Sequence, residues 1–332
     1  MTDGAMTSPA KTENGPAKRQ GRGNVARFLP LVISIALLVW LLWGFQSYAL
    51  LWRADKLVLA AALALSLGVI WFWGAYKWRA VLRLSGIEWR YREVLWVWIG
   101  LGPATLFMPF QTGIIAQAIL LRNARRIPAA AAFENIGYDR FLNLAATCGL
   151  IVLGAGLGYA VALPQFTRAI VAGAALLLLL FLLDPLIFRG LGLIKFVRRF
   201  SRLAVSRELA KQKIRLLFLA LIYQSCEIAV MYLACLSLGV AVPVRALLNV
   251  YPIIMLLSYV PVSFHGFGTR EALVVLLLSD VLRFDQAISA SLIVDAISYV
   301  APALFGLFAL PRTLRLLVAR PKPAQNAPTI GG

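Results

Sequence analysis

The chain has 332 residues, 61% of them hydrophobic and 14% charged, which leaves too little polar surface to coat a water-soluble globule of this size. Its formal charge of +19 comes largely from Lys and Arg in short loops between apolar runs, where membrane-orientation signals belong, and this speaks against nucleic-acid binding. Cys148, Cys226 and Cys235 all fall inside apolar stretches with neither a disulfide framework nor a metal-ligand spacing, so no metal or cofactor is expected.

Residues 1–27 contain Pro9, Gly15, Pro16, Gly21 and Gly23 without apolar periodicity and read as a disordered cytoplasmic tail. The run Phe28 to Gln46 is close to the roughly 20 residues a helix needs to cross a hydrocarbon core, and it lacks the cleavage site of a signal peptide. Such runs are continuously apolar rather than alternating, which predicts helices and not a barrel. Lys18, Arg19, Arg22 and Arg27 place the N-terminus on the cytoplasmic side. A second span, Leu57 to Tyr76, returns to a basic loop holding Lys77, Arg79, Arg83, Arg90 and Arg92, with Trp78 and Trp89 as interfacial anchors.

The stretch Val94 to Leu121 leaves that basic loop and ends at another, Arg122, Arg125 and Arg126. As a simple span it would put those arginines, and the nine basic residues between Arg189 and Arg215, on the outside. It is therefore expected to be a re-entrant hairpin broken near Pro103 and Pro109, whose halves of about 13 residues reach only about 20 Å. Ile136 to Gly158 then runs outward and Ile170 to Phe188 inward. Within Arg189 to Arg215, Leu193, Phe196, Val197, Phe200 and Leu203 recur at helical spacing with Arg198, Arg199 and Arg202 between them. That pattern fits an interfacial helix on anionic headgroups, and equally an orientation signal that happens to be helical.

Leu216 to Gly239 runs outward again, and Leu247 to Leu282, interrupted at Pro261 and from Gly266 to Gly268, is expected to be a second hairpin entering from outside. Ala287 to Leu310 returns to Arg312, Arg315, Arg320 and Lys322, so both termini are cytoplasmic and residues 316–332 form a second tail. The fold class is thus an all-α integral membrane protein, 28–315, of six spans plus two re-entrant helical hairpins. Two blocks, 57–158 and 216–310, share the order span, hairpin, span with opposite orientation, an inverted repeat in which Gly113 precedes Asp139 by 26 positions (139 − 113) and Gly268 precedes Asp295 by 27 (295 − 268).

Seven of the 14 acidic residues, Glu134, Asp139, Asp184, Glu227, Glu271, Asp280 and Asp295, lie within or at the ends of apolar segments, together with Arg140, His265 and Arg270. A charge at the centre of a span costs at least about 2.5 kcal/mol, so each needs a partner or water, and such groups are site candidates by default. Glu227 shares a helix face with Gln224, and Asp295 lies between Ser291 and Tyr299 at i±4, so these stripes should face a common interior. Asp184 and Asp280, near segment ends, read as solvated. Pairing across the repeats is expected, Arg140 with Glu271 and Arg270 with Asp295, and an arginine without such a partner would suit a lipid phosphate. His265 reads either as a proton relay or as a hydrogen-bonded structural residue.

The segment Pro261 to Ala272 resembles the signature of the lysylphosphatidylglycerol synthase/flippase transmembrane family, with Pro261, Gly266, Gly268, Arg270 and Glu271 matching. Pro109, Gly113 and the pair Asp139-Arg140 look like that family's first hairpin and the acid-Arg pair after it. The resemblance covers about residues 25 to 315. His265 departs from the first Gly of a doublet, Ile114 from a Glu, and Ala116 or Gln117 from an Arg. The resemblance implies a flippase-like protein of the bacterial inner membrane that handles a phospholipid, an aminoacylated lipid or a polyprenyl or hopanoid lipid. The substrate-binding residues it and the charge pattern suggest are Glu134, Asp139, Arg140, Glu227, His265, Gly266, Gly268, Arg270, Glu271 and Asp295. An enzyme is not expected. The alternatives are an accessory subunit of a lipid or glycan synthesis complex and a membrane-embedded transferase, for which His265 with Asp280 is the only acid-base candidate. Expected partners are membrane lipids, with a second copy of the chain or a synthesis enzyme left open.

Overall fold

The computed structural model describes residue 39 and residues 48–107, 112–125, 127–158, 164–190, 207–259 and 267–318, and among these the regular structure is entirely helical. After a short helical segment, Tyr48–Arg53, the elements are α1 (Lys56–Leu84), α2 (Tyr91–Phe107), α3 (Thr112–Arg125), α4 (Ala129–Gly156), α5 (Pro164–Gly190) and α6 (Arg207–Ser237). They continue with α7 (Val244–Ser258), α8 (Thr269–Leu277), α9 (Phe284–Gly306) and α10 (Leu310–Val318). Five of them, α1, α4, α5, α6 and α9, are long and apolar enough to cross a membrane. They answer to five of the expected spans; Phe28 to Gln46 lies outside the described residues.

The ends of α1 follow from local chemistry. Asp55 is its N-cap, accepting hydrogen bonds from the Leu57 and Val58 amides at 2.8 and 3.3 Å, and Gly86 at φ 72° turns the chain after Ser85. The helix does not stop at Tyr76. It runs 29 residues, about 44 Å and well beyond a hydrocarbon core of about 30 Å, so Lys77, Trp78, Arg79 and Arg83 are helical rather than loop residues. Trp78 and Trp89 are therefore not interfacial anchors: they are 1% and 5% exposed and stack in the core formed by α1, α2 and α3, with Trp78 5.4 Å from Trp98 and 6.2 Å from Trp89.

Of the two expected breaks in the first apolar stretch, the one at Pro103 does not occur. Pro103 sits inside α2, which continues to Phe107; Pro109 lies outside the described residues. A proline lacks the N–H that would bond the carbonyl four residues earlier, so Pro103 frees Ile99 O and Pro252, inside α7, frees Leu248 O. Both carbonyls turn to a glycine near the end of a central helix. A Cβ built on Gly306 of α9 would stand 2.6 Å from Ile99 O and 2.9 Å from Pro103 Cδ; one built on Gly154 of α4 would strike Leu248 O and lie 2.9 Å from Asn249 Cα. With no side chain in the way, the helix backbones approach one another closely at both points. As a result α2 lies against α9 and α7 against α4, the first arm of each helical pair crossing to the opposite half of the chain.

In their most apolar windows α4 and α9 are each 61% buried, whereas α1 is 17% and α5 only 11% buried. Hence α4 and α9 form the interior and α1 and α5 present apolar flanks. Two helices contain a π-helical turn, Gly68–Trp73 in α1 and Ala296–Val300 in α9. Carbonyls within these turns are met from neighbours: Trp98 Nε1 donates to Ile70 O at 2.7 Å, Tyr91 OH to Phe72 O at 2.9 Å and Ser66 Oγ to Ile297 O at 3.2 Å. The segment expected as an interfacial helix falls mostly on 191–206, outside the described residues. Its end, from Arg207, is the beginning of α6, where Lys213 is buried with its ammonium on the Phe181 carbonyl and 4.2 Å from the Phe181 ring centroid.

Candidate functional site

A chain of polar side chains crosses the interior of this apolar bundle. It begins at Lys77 of α1, whose ammonium donates to Asp139 Oδ1 at 2.6 Å and to Asn143 Oδ1 at 2.8 Å and lies 5.2 Å from the Tyr223 ring centroid. Lys77 is 1% and Asp139 6% exposed. On α4, Asp139, Asn143 and Thr147 are spaced by four and so form one stripe. Gln224 of α6 faces it, its amide donating to Thr147 Oγ1 at 2.7 Å and to Tyr259 OH at 2.9 Å.

One turn further along α6, Glu227 Oε1 accepts from Tyr299 OH at 3.0 Å. That hydroxyl in turn accepts from Arg270 Nη2 at 2.7 Å, and the guanidinium lies 4.5 Å from the centroid of the same tyrosine ring. Arg270 Nη1 donates to Asp295 Oδ1 at 2.7 Å. Tyr299 reaches this point from the π-helical turn of α9, whose extra residue per turn shifts the face of the helix next to Asp295.

The arginine is delivered by a helix start. Gly268, at φ 84°, is the N-cap of α8, in a backbone conformation glycine adopts without strain. Its amide donates to Glu271 Oε2 at 2.7 Å, so Glu271 reaches back to close the N-terminus of α8 and is held there by the helix it caps. Adjacent residues on a helix diverge by about 100°, yet Arg270 and Glu271 both remain buried, because α8 is packed between α7 and α9.

Of the expected pairs, Arg270 with Asp295 forms. Arg140 with Glu271 does not: Glu271 is wholly buried at the α8 cap, while Arg140 is on the exposed side of α4. The partner of the acid in the Asp139-Arg140 pair is instead Lys77. Glu134 is partly exposed near the start of α4, Glu227 is half-buried, and Asp280 is exposed in the turn after α8. Gly113 lies in the first turn of α3, and the side chain of Asp184, like His265, Gly266 and Pro261, falls outside the described residues.

Sequence reasoning passed over Lys77, Asn143, Thr147, Tyr251 and Tyr259. The signal for Lys77 was its position between Gly74 and Val81 on a face that is otherwise apolar, whereas Arg79 and Arg83 point elsewhere. Asp139, Asn143 and Thr147 at i, i+4, i+8 were equally legible as one stripe.

A bundle with apolar flanks, several helices of spanning length and ion pairs buried in its interior defines a multi-pass α-helical membrane protein. The family model described as lysylphosphatidylglycerol synthase TM region matches residues 27–306, and the chain belongs to that family. No curated protein matches the sequence at a significant level.

Proposed function

We propose that the protein is a lipid translocator of the bacterial inner membrane, without enzymatic activity of its own, that moves a lipid with an anionic headgroup between leaflets. The observation that carries this reading is the polar chain from Lys77 to Glu271 through an otherwise apolar interior, with the Arg140 guanidinium exposed beside its first pair. Arg140 is exposed and makes no hydrogen bond or ion pair with the described residues, and a guanidinium in that position suits phosphate. The residue lies about 17 Å along the 28-residue α4, well inside the helix rather than at its end.

The same reading takes α2 with α3 and α7 with α8 as re-entrant hairpins of an inverted repeat, with six spans and both termini cytoplasmic. It is supported by their lengths: α3, α7 and α8 have 14, 15 and 9 residues, about 21, 23 and 14 Å, all short of a hydrocarbon core. It is also supported by the paired contacts of Ile99 with Gly306 and of Leu248 with Gly154, which relate the two halves in the same way. Phospholipids, aminoacylated lipids and polyprenyl or hopanoid lipids are the classes to assay. The test is translocation of labelled lipids of each class in proteoliposomes containing the full chain. Transfer of at least one class, lost in Arg140→Ala, is expected, and absence of transfer for every class overturns the reading in favour of an accessory role in lipid or glycan synthesis.

A further inference from the structure

At the inner end of the polar chain the hydrogen-bond accounting does not close. Asp295 uses Oδ1 for Arg270, and Glu271 uses Oε2 for the Gly268 amide, but Asp295 Oδ2 and Glu271 Oε1 are buried with no donor. Both residues are at most 4% exposed. Glu271 is on α8, which packs against the part of α9 that carries Asp295, and the two carboxyls act on one another. Two ionised carboxylates have four acceptor oxygens and no hydrogen between them, so such a contact is repulsive unless one hydrogen is present. The charged and titratable groups that face the pair are Arg270 of α8, Tyr299 of α9, Glu227 of α6 and Tyr251 of α7, and the Tyr251 hydroxyl is itself buried without a partner. One guanidinium thus faces three carboxyls in an interior where uncompensated charge is costly.

We propose that Glu271 Oε1 and Asp295 Oδ2 hold one exchangeable proton between them, making this pair a proton-binding site. A metal cation fits less well, because among the described residues no group of three or more His, Cys, Asp or Glu side chains converges, and a hard cation requires a fuller oxygen shell than two carboxyls and a phenol. With the proton in place Arg270 and the carboxyl pair are together neutral; without it they carry one net negative charge. Arg270 keeps its charge throughout and links the pair to the half-buried Glu227 through the Tyr299 hydroxyl, which accepts from Arg270 and donates to Glu227. Loading and release of that proton would bias the α8 N-terminus against α9, which is how a proton gradient would drive lipid movement. This coupling role rests on the translocation reading, whereas the proton site itself does not.

Glu271→Gln is the informative variant. Its amide oxygen can still accept from Gly268 N–H while its amide nitrogen donates to Asp295 Oδ2, fixing the protonated arrangement without unmaking the helix cap. Infrared spectra of the full chain in lipid nanodiscs at neutral pH should contain a deuterium-sensitive band of a protonated carboxyl, lost in Glu271→Gln and in Asp295→Asn. A spectrum without that band, or with the band unchanged in both variants, overturns the proposal. In proteoliposomes the wild type should move lipid faster under an imposed pH gradient, and Glu271→Gln should move it at one rate with or without the gradient. Wild-type transfer that ignores the gradient overturns the coupling role. If no lipid is transferred at all, the translocation reading fails and the infrared band alone decides the proton site.

Discussion

Lys77 and Asp139 meet at 2.6 Å although α1 and α4 bring them together far from the surface, both less than a tenth exposed. A buried pair owes little to its mutual attraction alone, since desolvating two ions offsets most of it, but removing one partner leaves a bare charge. Lys77→Met should therefore destabilise the protein by about 3–5 kcal/mol, and Lys77→Met combined with Asp139→Leu should recover most of the loss. Thermal unfolding in detergent of the single and double variants checks this; a double variant no more stable than the singles would show that the pair matters for more than charge balance.

The helices themselves were legible in the sequence because membrane spans are set by a simple quantity, the length of uninterrupted apolar chain. What was misplaced were features decided by tertiary packing. Lys77 counts as an orientation signal when loops are scored by charge, yet α1 continues for two more turns and turns it inward to Asp139. Pro103 looks like a break because a proline removes a helix hydrogen bond, and only the facing Gly306, some 200 positions away in the chain, explains why α2 continues past it. Of the candidate site, Asp295, Glu227 and Tyr299 were recoverable from i±3 and i±4 stripes and Arg270 from its charge in an apolar segment just after the Gly266 to Gly268 break, while the role of Glu271 at the α8 cap needed the conformation of Gly268.

Gly154 and Gly306 are predicted to be intolerant of even one methyl group. A Cβ at either position meets backbone rather than a movable side chain, so the helix pairs α4 with α7 and α2 with α9 must separate. Gly154→Ala and Gly306→Ala should each cost about 1–3 kcal/mol. Gly156→Ala, one residue pair away where nothing lies within 4 Å, should be neutral or stabilise by up to about 1 kcal/mol by removing a helical glycine. Midpoints of thermal unfolding for the three variants, measured side by side, separate these outcomes.

The hydroxyl of Tyr299 is the joint between the Glu227 and Arg270 parts of the network, accepting from one residue and donating to the other. Tyr299→Phe keeps the ring under the guanidinium, so the cation–π contact persists and only the two hydrogen bonds go. Interhelical hydrogen bonds in membranes average about 0.6 kcal/mol, so the stability loss should be about 1 kcal/mol. Loss of lipid transfer well beyond what the unfolded fraction accounts for would locate the hydroxyl in the working network, and transfer unchanged in rate would confine it to structure.

Arg140 is the group for which stability and function should part most clearly. Its side chain is exposed on α4 and bonds to none of the described residues, so Arg140→Ala should change stability by no more than about 0.5 kcal/mol. If the guanidinium receives the lipid phosphate, the same substitution removes a bidentate donor from the path and lipid transfer should fall at least tenfold, a barrier change of about 1.4 kcal/mol. Arg140→Lys retains the charge but not the planar fork, and should restore transfer only in part. Initial rates in proteoliposomes, with unfolding midpoints of the same preparations, test both halves of the expectation. Equal rates for the wild type and Arg140→Ala would move the headgroup contact away from α4.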